Sequence, residues 1–150
     1  MLALGIAVRL AKKSRPAAAC VVLEDGSSGP QVVDSFQITS ADVELPTMLS
    51  ELATAARSRA ESLGIGAVWV RRADKPPRAS NAEGPRLRLL AEGAVIAGVC
   101  EVVEAVVIGD GREIGRELGT SKADADAAGE ALGVTAEAAA AALAALRRFA

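Results

Sequence analysis

Five basic side chains, Arg71, Arg72, Lys75, Arg78 and Arg86, fall in one polar stretch opposed only by Asp74 and Glu83. That stretch is locally +3 in a chain of formal net charge −2. A second basic group, Arg9, Lys12, Lys13 and Arg15, lies near the N-terminus. Cations spaced along exposed loops can neutralise phosphates, and such contacts position a nucleic acid without reading its bases. The same residues would equally keep two loop ends solvated, and both readings stand. Phe36, Trp69 and Phe149 are the only aromatic residues. That scarcity argues against stacking platforms for single strands or RNA loops.

The absence of His removes the Ser-His-Asp triad, the Cys-His dyad and His-ligated zinc. Cys20 and Cys100 are too few for a structural zinc site or a disulfide scaffold, and both are read as small buried hydrophobes. Asp42 with Glu44, and Asp124 with Asp126, sit near helix starts, where a carboxylate complements the helix dipole. Asp124 and Asp126 are two apart, so on a helix they diverge rather than converge on a metal. Gly109-x-Gly111-x-x-x-Gly115 is one residue too long for a dinucleotide loop and reads as a turn. No cofactor is expected.

These residues must be positioned by a chain of 150 residues, enough for one domain over residues 1–150 with a real core. The apolar runs Leu2–Leu10, Ala18–Leu23 and Val32–Thr39 read as three strands joined by turns at Ala11–Pro16 and Asp25–Pro30, an antiparallel meander. From Pro46 to Leu63 the period becomes helical, through Leu49, Leu52, Ala53, Ala56, Ala60 and Leu63, with Gly64 as the stop. Ile65–Val70 is a strand buried on both faces, and Trp69 within it is a core residue whose N–H finds a partner.

Arg71–Pro85 is loop. A helix from about Arg86 to Val99 turns Leu87, Leu90, Ala94, Val95 and Ala97 inward. Val102–Ile108 is a fifth strand, Gly109–Leu118 one or two helical turns, and Ser121–Leu132 a helix capped by Ser121. The last helix runs from Ala136 to about Phe149, capped by Thr135. The small-residue surface Gly93, Ala94, Ala97 and Gly98 suits packing within the chain, the preferred reading, or a close contact in a homodimer. No segment reads as membrane-spanning, because the most apolar run carries Glu101 and Glu104. The N-terminus lacks the basic start of a secretory signal, so a cytoplasmic location is expected.

The element order β-β-β-α-β-α-β-α, with extra helix at the end, implies an α/β fold with a mixed five-stranded sheet and helices on both faces. The residues add a resemblance. Gly5-Ile6 opens the first strand, and Leu45-Pro46-Thr47-Met48-Leu49 begins the first helix. Ala67-Val68-Trp69 lies in the fourth strand, and Arg86 to Ala94 in the second helix. Arg112-Glu113-Ile114 precedes Leu118-Gly119 and Lys122, and Glu137 to Leu143 lies in the last helix. In this order and spacing the chain resembles the RuvC family of Holliday-junction resolvases, of ribonuclease-H-like fold.

The resemblance implies a dimeric, DNA-cleaving ancestry in which four carboxylates hold two divalent metal ions. It also marks the departures. Ala7 stands at the first-strand Asp position, and Trp69 at the fourth-strand Glu position, or Val70 if the alignment slips by one. Ala138 and Ala141 stand at the paired Asp positions of the last helix. Glu137 is the nearest remaining acid, and alanine offers no oxygen to a hard cation. The expectation is a catalytically inactive RuvC-like protein with no metal, which binds branched or duplex DNA. Its expected contacts are Lys12, Lys13, Arg15, Arg71, Arg72, Lys75, Arg78, Arg86 and Lys122. The alternatives are a subunit whose partner is another protein, and a nuclease with displaced carboxylates at Glu137, Asp124 or Glu24.

Overall fold

The computed structural model describes residues 1–11, 15–74 and 83–150. The chain runs β1 (Leu2–Ala11), β2 (Arg15–Gly26), β3 (Gly29–Ile38), α1 (Leu45–Leu63), β4 (Ala67–Arg71), α2 (Glu83–Cys100), β5 (Ala105–Gly109), α3 (Gly111–Leu118), α4 (Lys122–Glu130) and α5 (Ala136–Phe149). The sheet order is β3-β2-β1-β4-β5. The β1–β2 and β2–β3 pairs are antiparallel, and the β1–β4 and β4–β5 pairs are parallel. The α/β class, the mixed five-stranded sheet and the order of elements are those expected.

Alternation along the strands sorts the core into two layers. Leu4, Ile6 and Val8 of β1, with Val68 and Val70 of β4, face α1 and α2. Ala3 and Ala7 of β1, with Ala67 and Trp69 of β4, face α3, α4 and α5. The second layer is made almost entirely of small side chains, and that lets α5 lie close against the sheet. A Cβ added at Gly5 would overlap the backbone carbonyl of Ala138 and the backbone nitrogen of Ala142. The alanine-rich tail is therefore the buried helix of this layer, with Ala138 to Ala142 fully enclosed.

Several boundaries differ from the sequence reading. The β2–β3 hairpin pairs as far as Asp25 with Pro30 and Gly26 with Gly29, so only Ser27 and Ser28 form the turn. Residues 65 and 66 precede β4, and residues 102 to 104 precede β5. Helix α2 begins three residues earlier than expected and is rotated. Its buried residues are Ala91, Glu92, Val95, Gly98 and Val99, while Leu90 and Ala97 are exposed. The cause is a close contact with α1: a Cβ on Gly98 would overlap the Ala53 carbonyl. That contact fixes which face of α2 turns inward. Thr135 makes no side-chain capping bond.

Cys20 is buried, and burial pushes its thiol up to about 12, whereas Cys100 is exposed and is not the core residue expected. Among the described residues, no helix is long and apolar enough to cross a membrane.

The glycine contacts give a paired expectation. Gly5→Ala forces backbone apart and should cost about 3 kcal/mol, lowering Tm by roughly 6–12 °C. A Cβ on Gly93, inside α2, meets nothing within 4 Å. Gly93→Ala should therefore raise Tm slightly through helix propensity. Thermal denaturation of the two variants against wild type decides it; a tolerated Gly5→Ala would show that α5 does not rest on β1 as described.

Candidate functional site

The parallel strands β1, β4 and β5 finish at one end of the sheet, the end at which ligands of open α/β sheets bind. In the β1–β4 register Gly5 pairs with Trp69 and Ala7 with Arg71. Trp69 and Arg71 are two apart on β4, so both project into the layer covered by α5. Ala7, Trp69, Ala138 and Ala141 meet there in one buried cluster. None of these four side chains carries an oxygen. Among the described residues, no group of three or more His, Cys, Asp or Glu is placed to hold a metal ion.

Arg71 is the correction of most consequence. It was expected on an exposed loop, but it ends β4 with only 2% of its surface exposed. Its guanidinium binds Asp126 of α4 through both Nη atoms, the second at 3.3 Å, and Nη2 lies 3.7 Å from Glu137 Oε1 of α5. Burial opposes the Arg71 charge. The hydrogen bond to Asp126 and the carboxylates of Glu137, Asp126 and Asp74 outweigh it and push the Arg71 pKa up. Gly111, at the start of α3, leaves the room this requires, since a Cβ there would lie 2.7 Å from Arg71 Nη2 and 2.8 Å from Lys122 Cε.

Around this ion cluster the remaining polar residues are largely engaged. Lys122 pairs with Asp74. That bond, against mild desolvation, holds Asp74 below the usual carboxylate range. The pair thus contributes stability at neutral pH that is lost as pH falls through the lowered value. Arg72 is half exposed and bonds Glu113 at 3.0 Å, with Asp110 at 3.9 Å. Glu92 is buried, accepts from the Ala73 N–H at 2.8 Å and lies 3.3 Å from Arg88 Nε. Burial pushes its pKa up, opposed by the Ala73 bond and by Arg88.

Arg15 is partly exposed and donates to the Ala41 carbonyl at 3.3 Å, and Arg86 is exposed on the first turn of α2. Lys12, Lys13, Lys75 and Arg78 lie outside the described residues. Asp124 accepts from the Ser121 and Thr120 hydroxyls and so diverges from Asp126, as their spacing requires. Glu24 pairs with Leu2 at the opposite end of β1. Glu137, Asp124 and Glu24 are therefore not brought together.

Two features escaped the sequence reading. Asp110 and Glu113 form a capping box that starts α3, a signal present in Asp110-x-x-Glu113. Arg112 and Arg116, four apart on α3, line a cavity of about 500 Å³ with Gly119, Thr120, Ser121 and Lys122. Beside it, Arg147 of α5 donates to the Leu118 carbonyl at 3.3 Å.

No protein-family model matches the chain, and no curated protein matches it by sequence. Solved structures do match. RuvC from Thermus thermophilus is similar at a TM-score of 0.71 and 15% identity, over 98% of this chain and 94% of that one. T. thermophilus RuvC in complex with a Holliday junction substrate is similar at a TM-score of 0.69 and 16% identity, over 98% and 93%. At this identity the likeness shows the fold, which is RuvC-like over nearly the whole chain.

The buried ion cluster predicts a stability role for Arg71 rather than a phosphate contact. Arg71→Met keeps the packing but strands Asp126 and Glu137. Because both carboxylates are partly exposed, the expected loss is about 2 kcal/mol rather than the larger figure for a fully buried pair. Urea denaturation should show the midpoint falling with the slope unchanged. An unchanged midpoint would mean the cluster contributes nothing to the fold.

Proposed function

We propose that this chain is a nuclease-inactive, RuvC-like protein of one domain that binds branched or duplex DNA where β1, β4 and β5 end. The observation that carries the reading is the meeting of Ala7, Trp69, Ala138 and Ala141 in one sealed apolar cluster, closed at its rim by the Arg71 guanidinium. A two-metal centre does not fit these residues. Hard divalent cations need several oxygen ligands, and Asp126 and Glu137, the carboxylates nearest the cluster, are already paired with the Arg71 guanidinium.

Binding by charge remains. The fold likeness to a protein solved with a Holliday junction supports DNA as the ligand class. Arg15 pairs with Ala11 at the end of β1, Arg86 lies in the first turn of α2 after β4, and Lys122 begins α4. Lys12 and Lys13 fall in the sequence between β1 and β2, and Lys75 and Arg78 between β4 and α2. Such residues would track phosphates and carry no base readout. A homodimer is part of the reading, supported by Leu89 and Leu90, which lie side by side on α2 at 62% and 47% exposure. A cytoplasmic, reducing setting suits the exposed free thiol of Cys100.

Binding of a labelled four-way junction and of linear duplex, at two salt concentrations with and without Mg²⁺, tests the proposal. Junction-preferring, salt-steep binding without cleavage is expected. Arg15→Ala and Arg86→Ala should each reduce the salt slope by about one. Mg²⁺-dependent cleavage would overturn the inactive reading, and absence of binding at low salt would overturn the DNA reading. Mg²⁺ or Mn²⁺ should leave Tm unchanged, whereas a clear rise at sub-millimolar metal would restore a metal site.

A further inference from the structure

Among the described residues, strand β5 is an edge of the sheet and pairs only with β4. The Gly109 carbonyl accepts from the Arg72 N–H and so faces inward across β4. Backbone groups alternate along a strand, and Ile108 therefore turns its N–H and C=O to the free edge. The Ile108 side chain is 48% exposed. An open edge of this kind is a template for an added strand.

A groove of about 390 Å³ runs along this edge, with Trp69, Val107 and Ile108 in its lining. Neighbours on a strand point to opposite faces, so a groove touching both Val107 and Ile108 must follow the strand's rim. Trp69 is 97% buried, yet among the described residues its Nε1–H has no hydrogen-bond partner, against the usual behaviour of a buried indole and against the sequence expectation. The indole edge that carries Nε1 lies against Gly109. A Cβ at that residue would stand 3.2 Å from Nε1 and 2.9 Å from Cζ2. Glu113 Oε2 would stand at the same 3.2 Å from that Cβ, so the glycine makes room for the indole edge beside this carboxylate.

Charge selects the occupant. On the groove's outer wall Glu117 is taken by Arg148 at 2.9 Å, and Glu113 by Arg72 and by the Asp110 N–H at 2.7 Å. Arg116, by contrast, is exposed and is in no ion pair among the described residues. It is shared with the neighbouring cavity, where Arg112 continues the positive wall. The unsatisfied groups are thus an indole donor, an arginine, and one residue's edge N–H and C=O. We infer that the β5 edge is a docking site for an extended acidic segment of a partner protein, which adds as a sixth strand on Ile108. One of its acceptor oxygens takes the Trp69 N–H, and its carboxylates lie over Arg116 and Arg112. Strand addition of this kind draws affinity from main-chain bonds and specificity from alternate side chains. The inference does not rest on DNA binding.

Trp69 is the sole Trp, so the chain has one indole N–H resonance that reports on the groove directly. The full-length ¹⁵N-labelled protein is titrated with an acetylated, amidated octapeptide of alternating Glu and Val, and with its Lys–Val counterpart. The Glu–Val peptide should move the Trp69 indole and the amides of Ala105–Gly109, and the Lys–Val peptide should leave them in place. Ile108→Pro removes an edge N–H that the fold does not use, a position where proline is tolerated. This variant should fold normally and bind about tenfold more weakly. Arg116→Glu should weaken binding likewise and reverse the peptide preference.

No movement of the indole with millimolar Glu–Val peptide overturns the inference, as does equal binding of both peptides. Movement by junction DNA but not by peptide would assign the groove to the DNA path. Movement on concentrating the protein alone would assign it to a second copy. Either result also overturns the inference.

Discussion

The close seating of α5 on the sheet is the constraint from which the rest of the site follows. Helix and strand backbones meet at Gly5 without room for a single methyl group. The layer between them is consequently filled by Ala3, Ala7, Ala19 and Ala67 below and by the alanines of α5 above. Val21, Leu23 and Ile114 are also enclosed in this layer, and the two largest residues that β4 turns to it lie at its margin. Trp69 does so toward β5, and Arg71 toward α4. The two large residues of β4 on this face thus close the two sides that the alanines leave open.

Arg71 makes this arrangement electrostatically self-sufficient. A buried guanidinium is costly to desolvate and stable only with well-placed anions. Asp126 from α4 and Glu137 from α5 supply them, and so bind two different helices to the end of one strand. The planar fork of Arg matches a carboxylate with two donors, which a Lys at the same position could not do. Asp74 and Lys122 then pair beside the cluster, so that positive and negative groups alternate from β4 to α4. A site of this composition has its cation built into the chain.

How far all this was legible in the sequence depends on the range of the signal. Period-two and period-3.6 patterns are local, and the strands of β1 and β4 and the span of α1 follow from them. The face of α2 does not, because it is set by Gly98 meeting Ala53 across two helices, a distant contact no helical wheel contains. The same limit explains Arg71. In sequence it heads a basic, loop-like stretch with Arg72 and Lys75, and its composition says solvent. Its actual environment is set by Asp126, 55 residues away. Arg72, one position later, is half exposed and pairs with Glu113 of α3. The Asp110–Glu113 capping box was written in the sequence and would have fixed α3, and with it the placing of Arg112 and Arg116. The expected grouping of Ala7, Trp69, Ala138 and Ala141 came from a resemblance across the whole chain, not from any local pattern.

Trp69 joins the closed side of the molecule to the open one. An indole is larger than the carboxylate side chain that the RuvC resemblance places at this position, and it is polar at only one atom. Packing its ring into the alanine layer satisfies the apolar surface but turns the N–H toward whichever margin has space. That margin is β5, where Gly109 carries no side chain and, among the described residues, no strand pairs on the outer side. A buried donor without an acceptor costs stability, and a chain that keeps one needs a compensating contact. An oxygen arriving along the β5 edge supplies that contact, together with partners for the backbone groups of Ile108. The indole that packs into the alanine layer thus holds its one polar atom buried near the β5 rim, beside Gly109 and the Glu113 carboxylate.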